Sequence, residues 1–292
     1  MNTQFWGPSG WQFLHTLANI YPVKPSMIEK MMMRDFMGLV ADVLPCKYCR
    51  ASFTKYSHSL DITPYLETNS LMQEWLYRMH NKVNGKLRRQ GFCTTENPTL
   101  ESVIAKYDKL GKDTMNRIMN DINYPTSETI SDMIEYLSKM GFDFLGSIIF
   151  NYQGYFANCH TNEEKGKIVF SYDNFFNMLP RIIFMYLKSH YPEKRRGLES
   201  WINHSKRSKG WLNFKIRSIL QHNEPYTQLK KWFWECELLA TYKHWHMDYE
   251  EYESHFNKHI VNMCNTPIAD KVKSCRKLSK KYVTTHILSR KN

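Results

Sequence analysis

Along the first third of the chain, apolar side chains recur at the three-to-four-residue spacing of a helix face and do not alternate as in a half-buried strand. From Ser9 to Tyr21, Trp11, Leu14, Leu17, Ala18 and Tyr21 share one such face, and Pro22 stops the run. A second helix is expected from about Pro25–Ser26 through Met31–Val43, ending at Pro45. Proline fits the first helical turn, so Pro45–Cys46 reads as the opening of a third. A fourth spans about Asn69 to Arg88, with Leu71, Trp75, Met79 and Val83 along one side, and Asn97-Pro98 introduces a short fifth through Tyr107. The expected class is mainly α, a four-helix bundle plus a short fifth helix.

Residues 111–128 are polar and contain Asn123-Tyr124-Pro125-Thr126-Ser127, a loop composition. The expected division is a domain over 1–110, a linker over 111–128 and a mostly helical C-terminal domain of unrecognised fold over 129–292. Helix-like segments fall near Ile130–Met140, Tyr172–His190, Leu212–His222, Tyr226–Tyr242 and Tyr249–Met263. Gly141–Phe170, richer in glycine and aromatics, is the one stretch where strands are expected.

With 42% hydrophobic and 23% charged residues, the 292-residue chain has the composition of packed rather than disordered protein. Its most apolar stretches, Phe144–Phe150 and Phe175–Leu187, are short or interrupted by Pro180 and Arg181, so no membrane span is expected. Met1–Phe5 lacks the basic start of a signal peptide, so the expected location is the cytosol or something assembled there. The net charge of +12 divides as +4 over residues 1–110 and +8 over the rest, which bears on partners more than on fold.

Of the seven cysteines, only Cys46 and Cys49 are closely spaced, which excludes a secreted disulfide scaffold. By spacing, Cys46-Lys47-Tyr48-Cys49 is half a zinc site, a dithiol/disulfide redox centre, or two unrelated core cysteines. A zinc site needs a second ligand pair, and His58 and His80 stand alone. Placement favours redox: a helix start offers unpaired N–H groups and the positive dipole end, both of which stabilise a thiolate.

Three segments then carry a resemblance. Trp6-Gly7-Pro8-Ser9-Gly10-Trp11-Gln12-Phe13-Leu14-His15-Thr16-Leu17, Pro45-Cys46-Lys47-Tyr48-Cys49 and His80-Asn81-Lys82-Val83-Asn84-Gly85-Lys86-Leu87 resemble, in order and spacing, the motifs of the Erv/ALR family of FAD-dependent thiol oxidases. The resemblance implies Cys46 and Cys49 as the catalytic pair and FAD as cofactor. It implies FAD contacts from Gly7, Gly10, Trp11, His15, His80, Asn81, Val83, Asn84, Lys86, Leu87 and Arg89. Trp11 would pack on a ring, the histidines and asparagines would meet polar groups, and Lys86, Arg88 or Arg89 would neutralise the pyrophosphate.

The implied reaction begins with attack of a substrate protein's dithiol on the Cys46–Cys49 disulfide, most readily at Cys46. Cys49 then passes two electrons to the flavin, and molecular oxygen leaves as hydrogen peroxide. A homodimer is implied as well. The missing signal peptide and the extra C-terminal domain resemble the oxidases of large cytoplasmic DNA viruses, the mimivirus type, which implies a viral assembly site or the virion. Two departures stand out. Cys93 matches one half of a family disulfide whose other half is here Tyr77, and no second Cys-x-x-Cys exists to act as a shuttle, Cys264 and Cys275 being the nearest candidates.

In the second domain, Lys194-Arg195-Arg196, Lys206, Arg207, Lys209, Lys215 and Arg217 interleave with Trp201 and Trp211. Nucleic-acid or partner binding through residues 194–217 is the alternative function, against a commoner solvated basic face. His244, His246, His255 and His259 lie near Cys236 and Cys264 but form no complete ligand set, so no metal is assigned.

Overall fold

Helix ends fall where the sequence supplies caps. The computed structural model describes residues 2–109, 141–190, 216–219, 223–241 and 247–260, and every regular element among them is helical. The elements are α1 (Thr3–Asn19), α2 (Met27–Val43), α3 (Lys47–Ser59), a 3-10 turn (Thr63–Leu66), α4 (Asn69–Arg89) and α5 (100–109). After the expected linker, which lies outside the described residues, come α6 (Phe142–Ala157), α7 (Asn162–His190), the single turn α8 (Ile216–Ile219), α9 (Pro225–Thr241) and α10 (Tyr249–Asn257).

Ser26 and Glu29 form a reciprocal capping box at the start of α2. Thr68 caps α4 by accepting from the Leu71 N–H. Gly91, at φ 74°, ends α4 with bonds from its own N–H to Arg88 O and from Phe92 N–H to Leu87 O. The expected start of α1 at Ser9 is corrected to Thr3, with Asn2 as its cap. Pro8 lies inside the helix and removes one amide, but it and Gln4 are both exposed, so the carbonyl left over lies on the wet side.

The strands expected over Gly141–Phe170 are also corrected: α6 and the start of α7 occupy that stretch. In α6, Phe142, Phe144, Leu145, Ile148, Ile149, Phe150 and Tyr152 are all buried. A helix covered on most sides has no polar stripe, so periodicity cannot separate it from a buried strand. Its buried glycine, Gly146, serves packing. A Cβ at Gly146 would overlap the ring of Phe256 on α10.

The core is continuous. α1 packs on α4 and α6, α2 on α3 and α7, and α6 on α9 and α10. Phe36 stacks on Phe175 at 5.1 Å between ring centres, and Phe144 lies 5.8 Å from Trp6 and 5.9 Å from Phe13. No described helix is long and apolar enough to cross a membrane.

Candidate functional site

The two cysteines open α3. Cys46 is the N-cap residue, in extended conformation, and its carbonyl accepts from the N–H groups of Cys49 and Arg50, both at 2.9 Å. Pro45 before it prevents α2 from continuing, so the chain turns here and restarts as a helix. Cys46 and Cys49 are each half-buried against the apolar core, while Lys47 between them is exposed. The arrangement leaves one rim of the pair open to a reagent and the other facing protein.

A second group of residues assembles from α1, α4 and α5. The indole of Trp11 stacks on the His80 ring at 3.9 Å and 9°. His15 Nε2 and His80 Nδ1 are hydrogen-bonded at 3.2 Å, one ring donating to the other. Tyr107 stacks on His15 at 4.9 Å. Burial pushes His15 down to about 3, with His80 and Lys106 adding repulsion, and pushes His80 down to about 4, again with Lys106 adding to it. Both rings are therefore neutral near pH 7 and keep one donor and one acceptor each.

A polar rim borders this cluster. Asn84 Nδ2 and Arg88 Nη1 both donate to Asn97 Oδ1, at 3.1 and 2.9 Å, and Arg88 also reaches Thr95 O at 3.2 Å. Cys93 sits in the same loop, its sulfur 3.5 Å from Thr95 Oγ1, and that hydroxyl holds the thiol below its ordinary value.

Lys86, grouped from the sequence with cations for a pyrophosphate, lies between α4 and α3. It is buried and donates to Ser52 Oγ at 2.9 Å, tying α4 to α3 one turn past Cys49. Gly10 is buried too, and a Cβ there would meet the Phe144 ring at 3.0 Å. It lets α6 approach α1. Arg89 is exposed and lies over Gly85. Gly7, Asn81, Val83 and Leu87 are partly buried.

Sequence reasoning missed Lys106, whose charge acts on both histidines, and Asn97, read only as the opening of a helix. It also missed Arg50, which donates to Leu44 O at 2.6 Å and lies 3.6 Å over the ring of Tyr155. No local signal marks a contact across so many residues.

Outside this region, no group of three or more His, Cys, Asp or Glu among the described residues is placed to hold a metal. His255 pairs with Asp143 at 3.4 Å, and His259 stacks on Phe5 at 3.9 Å. His244, His246, Cys264 and Cys275 lie outside the described residues, as do 194–215 of the basic stretch.

A helical bundle that opens one helix with a half-buried cysteine pair, and gathers aromatic rings and two neutral histidines from three others, has the build of a dithiol redox protein. Residues 8–105 match the model of the Erv1/Alr family. Over 86 residues the chain is 35% identical to the mitochondrial FAD-linked sulfhydryl oxidase ERV1 of Saccharomyces cerevisiae, covering 30% of this chain and 44% of that one. It is 31% identical to the probable FAD-linked sulfhydryl oxidase R368 of Acanthamoeba polyphaga mimivirus, covering 29% and 59%. With an FAD-linked sulfhydryl oxidase of African swine fever virus it shares 29% identity over 37% of this chain and 89% of the relative. The chain thus spans about half the length of the first two relatives. No solved structure matches.

Proposed function

We propose that the protein is an FAD-dependent thiol oxidase that forms disulfides in substrate proteins, with Cys46 and Cys49 as its catalytic pair. The carrying observation is the convergence of the three motifs: α3 with the cysteines is tied to α4 by Lys86–Ser52, and α4 presents His80 to Trp11 and His15 of α1.

The residues fit a flavin dinucleotide. Trp11, His80 and Tyr107 offer flat faces, His15 and His80 offer neutral donors and acceptors, and Arg88 and Lys106 stand at the edge as cations for phosphate. Bound there, the flavin supplies two-electron chemistry between the enzyme dithiol and oxygen, which leaves as hydrogen peroxide.

The chain's own part is thiol exchange. A substrate thiolate attacks Cys46 Sγ of the Cys46–Cys49 disulfide, and Cys49 leaves as thiolate, stabilised by the α3 N-terminus. The second substrate thiol then displaces Cys46. The substrate loses two electrons and two protons, and the pair gains them as a dithiol. Buried Lys86 bonds Ser52, one turn beyond Cys49, and so fixes the start of α3 against α4. The neutral histidines orient polar groups without competing for the transferred protons.

Two finer assignments rest on the resemblance and on the viral relatives: a homodimer, and work in the cytosol at a viral assembly site or within the virion. Light scattering tests the first against the chain mass of 35.0 kDa.

The test of the activity is a visible absorption spectrum of the purified protein, followed by oxygen uptake with dithiothreitol. An oxidised-flavin spectrum with uptake that disappears in Cys49→Ser, while the colour stays, is the expected result. A protein that remains colourless and inactive when FAD is supplied overturns the proposal.

A further inference from the structure

Arg50 follows Cys49 directly, and its side chain is held from two sides. Nη1 donates to the Leu44 carbonyl at 2.6 Å, and the guanidinium lies 3.6 Å over the face of the Tyr155 ring. Leu44 is the C-cap of α2 and Cys46 the N-cap of α3, so this one side chain closes the turn that carries both cysteines. Tyr155 belongs to α6, outside residues 8–105 that the family model covers. The turn is therefore braced by a part of the chain outside the residues that the family model matches.

Bracing matters to a dithiol. A disulfide needs its two Cβ atoms at one narrow separation. The more of its time the turn spends near that geometry, the higher the effective concentration of one thiol for the other, and the more stable the disulfide. Arg50 restricts the turn by fixing Leu44 O relative to the first turn of α3. Tyr155 restricts Arg50, since a planar guanidinium on an aromatic face loses its freedom to swing into solvent. Tyr155 is itself anchored: α6 packs on α1, and neighbouring Phe156 and Cys159 lie against the core.

We propose that α6 is a positioning element for the redox centre, with Tyr155 acting through Arg50 to hold Cys46 and Cys49 in disulfide-competent geometry. This gives part of the second half a role in the chemistry of the first. It rests on the reading of Cys46 and Cys49 as a redox dithiol, and it needs neither flavin nor oxygen.

The test is an anaerobic equilibration of the full chain in glutathione buffers of graded ratio. Two glutathione thiols lose two electrons and two protons and join as glutathione disulfide. The Cys46–Cys49 bond breaks and takes them up as two thiols. After acid quench and alkylation, mass spectrometry of the peptide carrying both cysteines reads the fraction oxidised. Tyr155→Leu removes the ring face, Tyr155→Phe keeps it, and Arg50→Lys keeps the charge without the planar fork. The Leu and Lys variants are expected to make the disulfide ~3- to 10-fold easier to reduce, tenfold being about 30 mV in this couple. The Phe variant should titrate as the unmodified protein. Equal titration of all four, or a Phe shift as large as the Leu shift, overturns the proposal. If Tyr155→Leu fails to fold, Arg50→Lys decides alone. An unmodified protein that forms no Cys46–Cys49 disulfide at any ratio overturns the dithiol reading beneath it instead.

Discussion

The two parts of the chain bury their polar groups in different ways. In α1, α4 and α5 several buried or half-buried polar groups converge, His15 with His80, Asn84 and Arg88 with Asn97, Lys86 with Ser52, while Trp6 Nε1 and Gln90 Oε1 have no hydrogen-bond partner among the described residues. In α6, α9 and α10 they are scattered through aromatic core. Tyr252 donates to Glu237, while Ser147 Oγ and Tyr152 Oη have no hydrogen-bond partner among the described residues. Convergent polar groups on aromatic faces are what a ligand site requires. Isolated ones in an apolar interior are a cost of packing, which suits a part that supports the first.

If the second part supports the first, loosening it has a consequence for the site. Gly146→Val is the severest test, because any Cβ there overlaps the Phe256 ring and must push α10 from α6. A loss of ~3 kcal/mol is expected, read as a lower midpoint in chemical denaturation. If flavin retention and dithiol turnover survive at temperatures where α10 has detached, α10 contributes nothing to the site.

The two parts also titrate with opposite sign. Burial holds His15 and His80 below the ordinary 6.5, so the unfolded chain binds protons there that the folded one refuses. Their contribution is complete above pH 6.5 and is lost as pH falls, toward about 4 for His80 and about 3 for His15, at up to ~1.4 kcal/mol per pH unit per histidine. Burial pushes Glu237 up to about 8 from 4.5, so the folded chain there holds a proton that the unfolded one releases. Its contribution is complete below 4.5 and declines as pH rises to about 8. Melting curves across this range should show both limbs. Glu237→Gln should flatten the alkaline limb alone, and an unchanged alkaline limb would remove Glu237 from the account.

Much of the first part was legible because its signals are local. Proline and cap residues bound α2, α3 and α4, and Trp11, His15 and His80, which the resemblance assigns to one cofactor, lie together. What escaped depends on distant partners. The resemblance puts Lys86 and Gly10 among the FAD contacts, and nothing local to either shows that Lys86 bonds Ser52 or that the Phe144 ring packs on Gly10. Arg50 gave no sign of Tyr155. Helix α6 was misread because a helix buried all round loses the very periodicity by which helices are recognised.

A smaller effect sharpens the picture of the site. Trp11→Ala removes the face that stacks on His80 at 3.9 Å but leaves the His15–His80 bond available. Flavin affinity is expected to fall ~10-fold, as suits the loss of one aromatic stack, with the thermal midpoint of the flavin-free protein little changed. A large drop in that midpoint with unaltered affinity would make Trp11 a core residue and nothing more.

The smallest contrast sets one glycine from each part against the other. Gly91 ends α4 at φ 74°, where a Cβ meets no atom within 4 Å yet the backbone itself disfavours any L side chain. Gly91→Ala should therefore cost ~1 kcal/mol through strain alone. Gly154 lies exposed within α6, also with no atom within 4 Å of a built Cβ, and its helical backbone suits alanine. Gly154→Ala should add up to ~1 kcal/mol, because alanine has less backbone freedom to lose on folding. Paired denaturation curves read both signs at once. Since neither change touches another side chain, equal signs would mean that α4 does not end in the left-handed turn or that α6 is not helical at residue 154, and the second outcome would restore the strands first expected there.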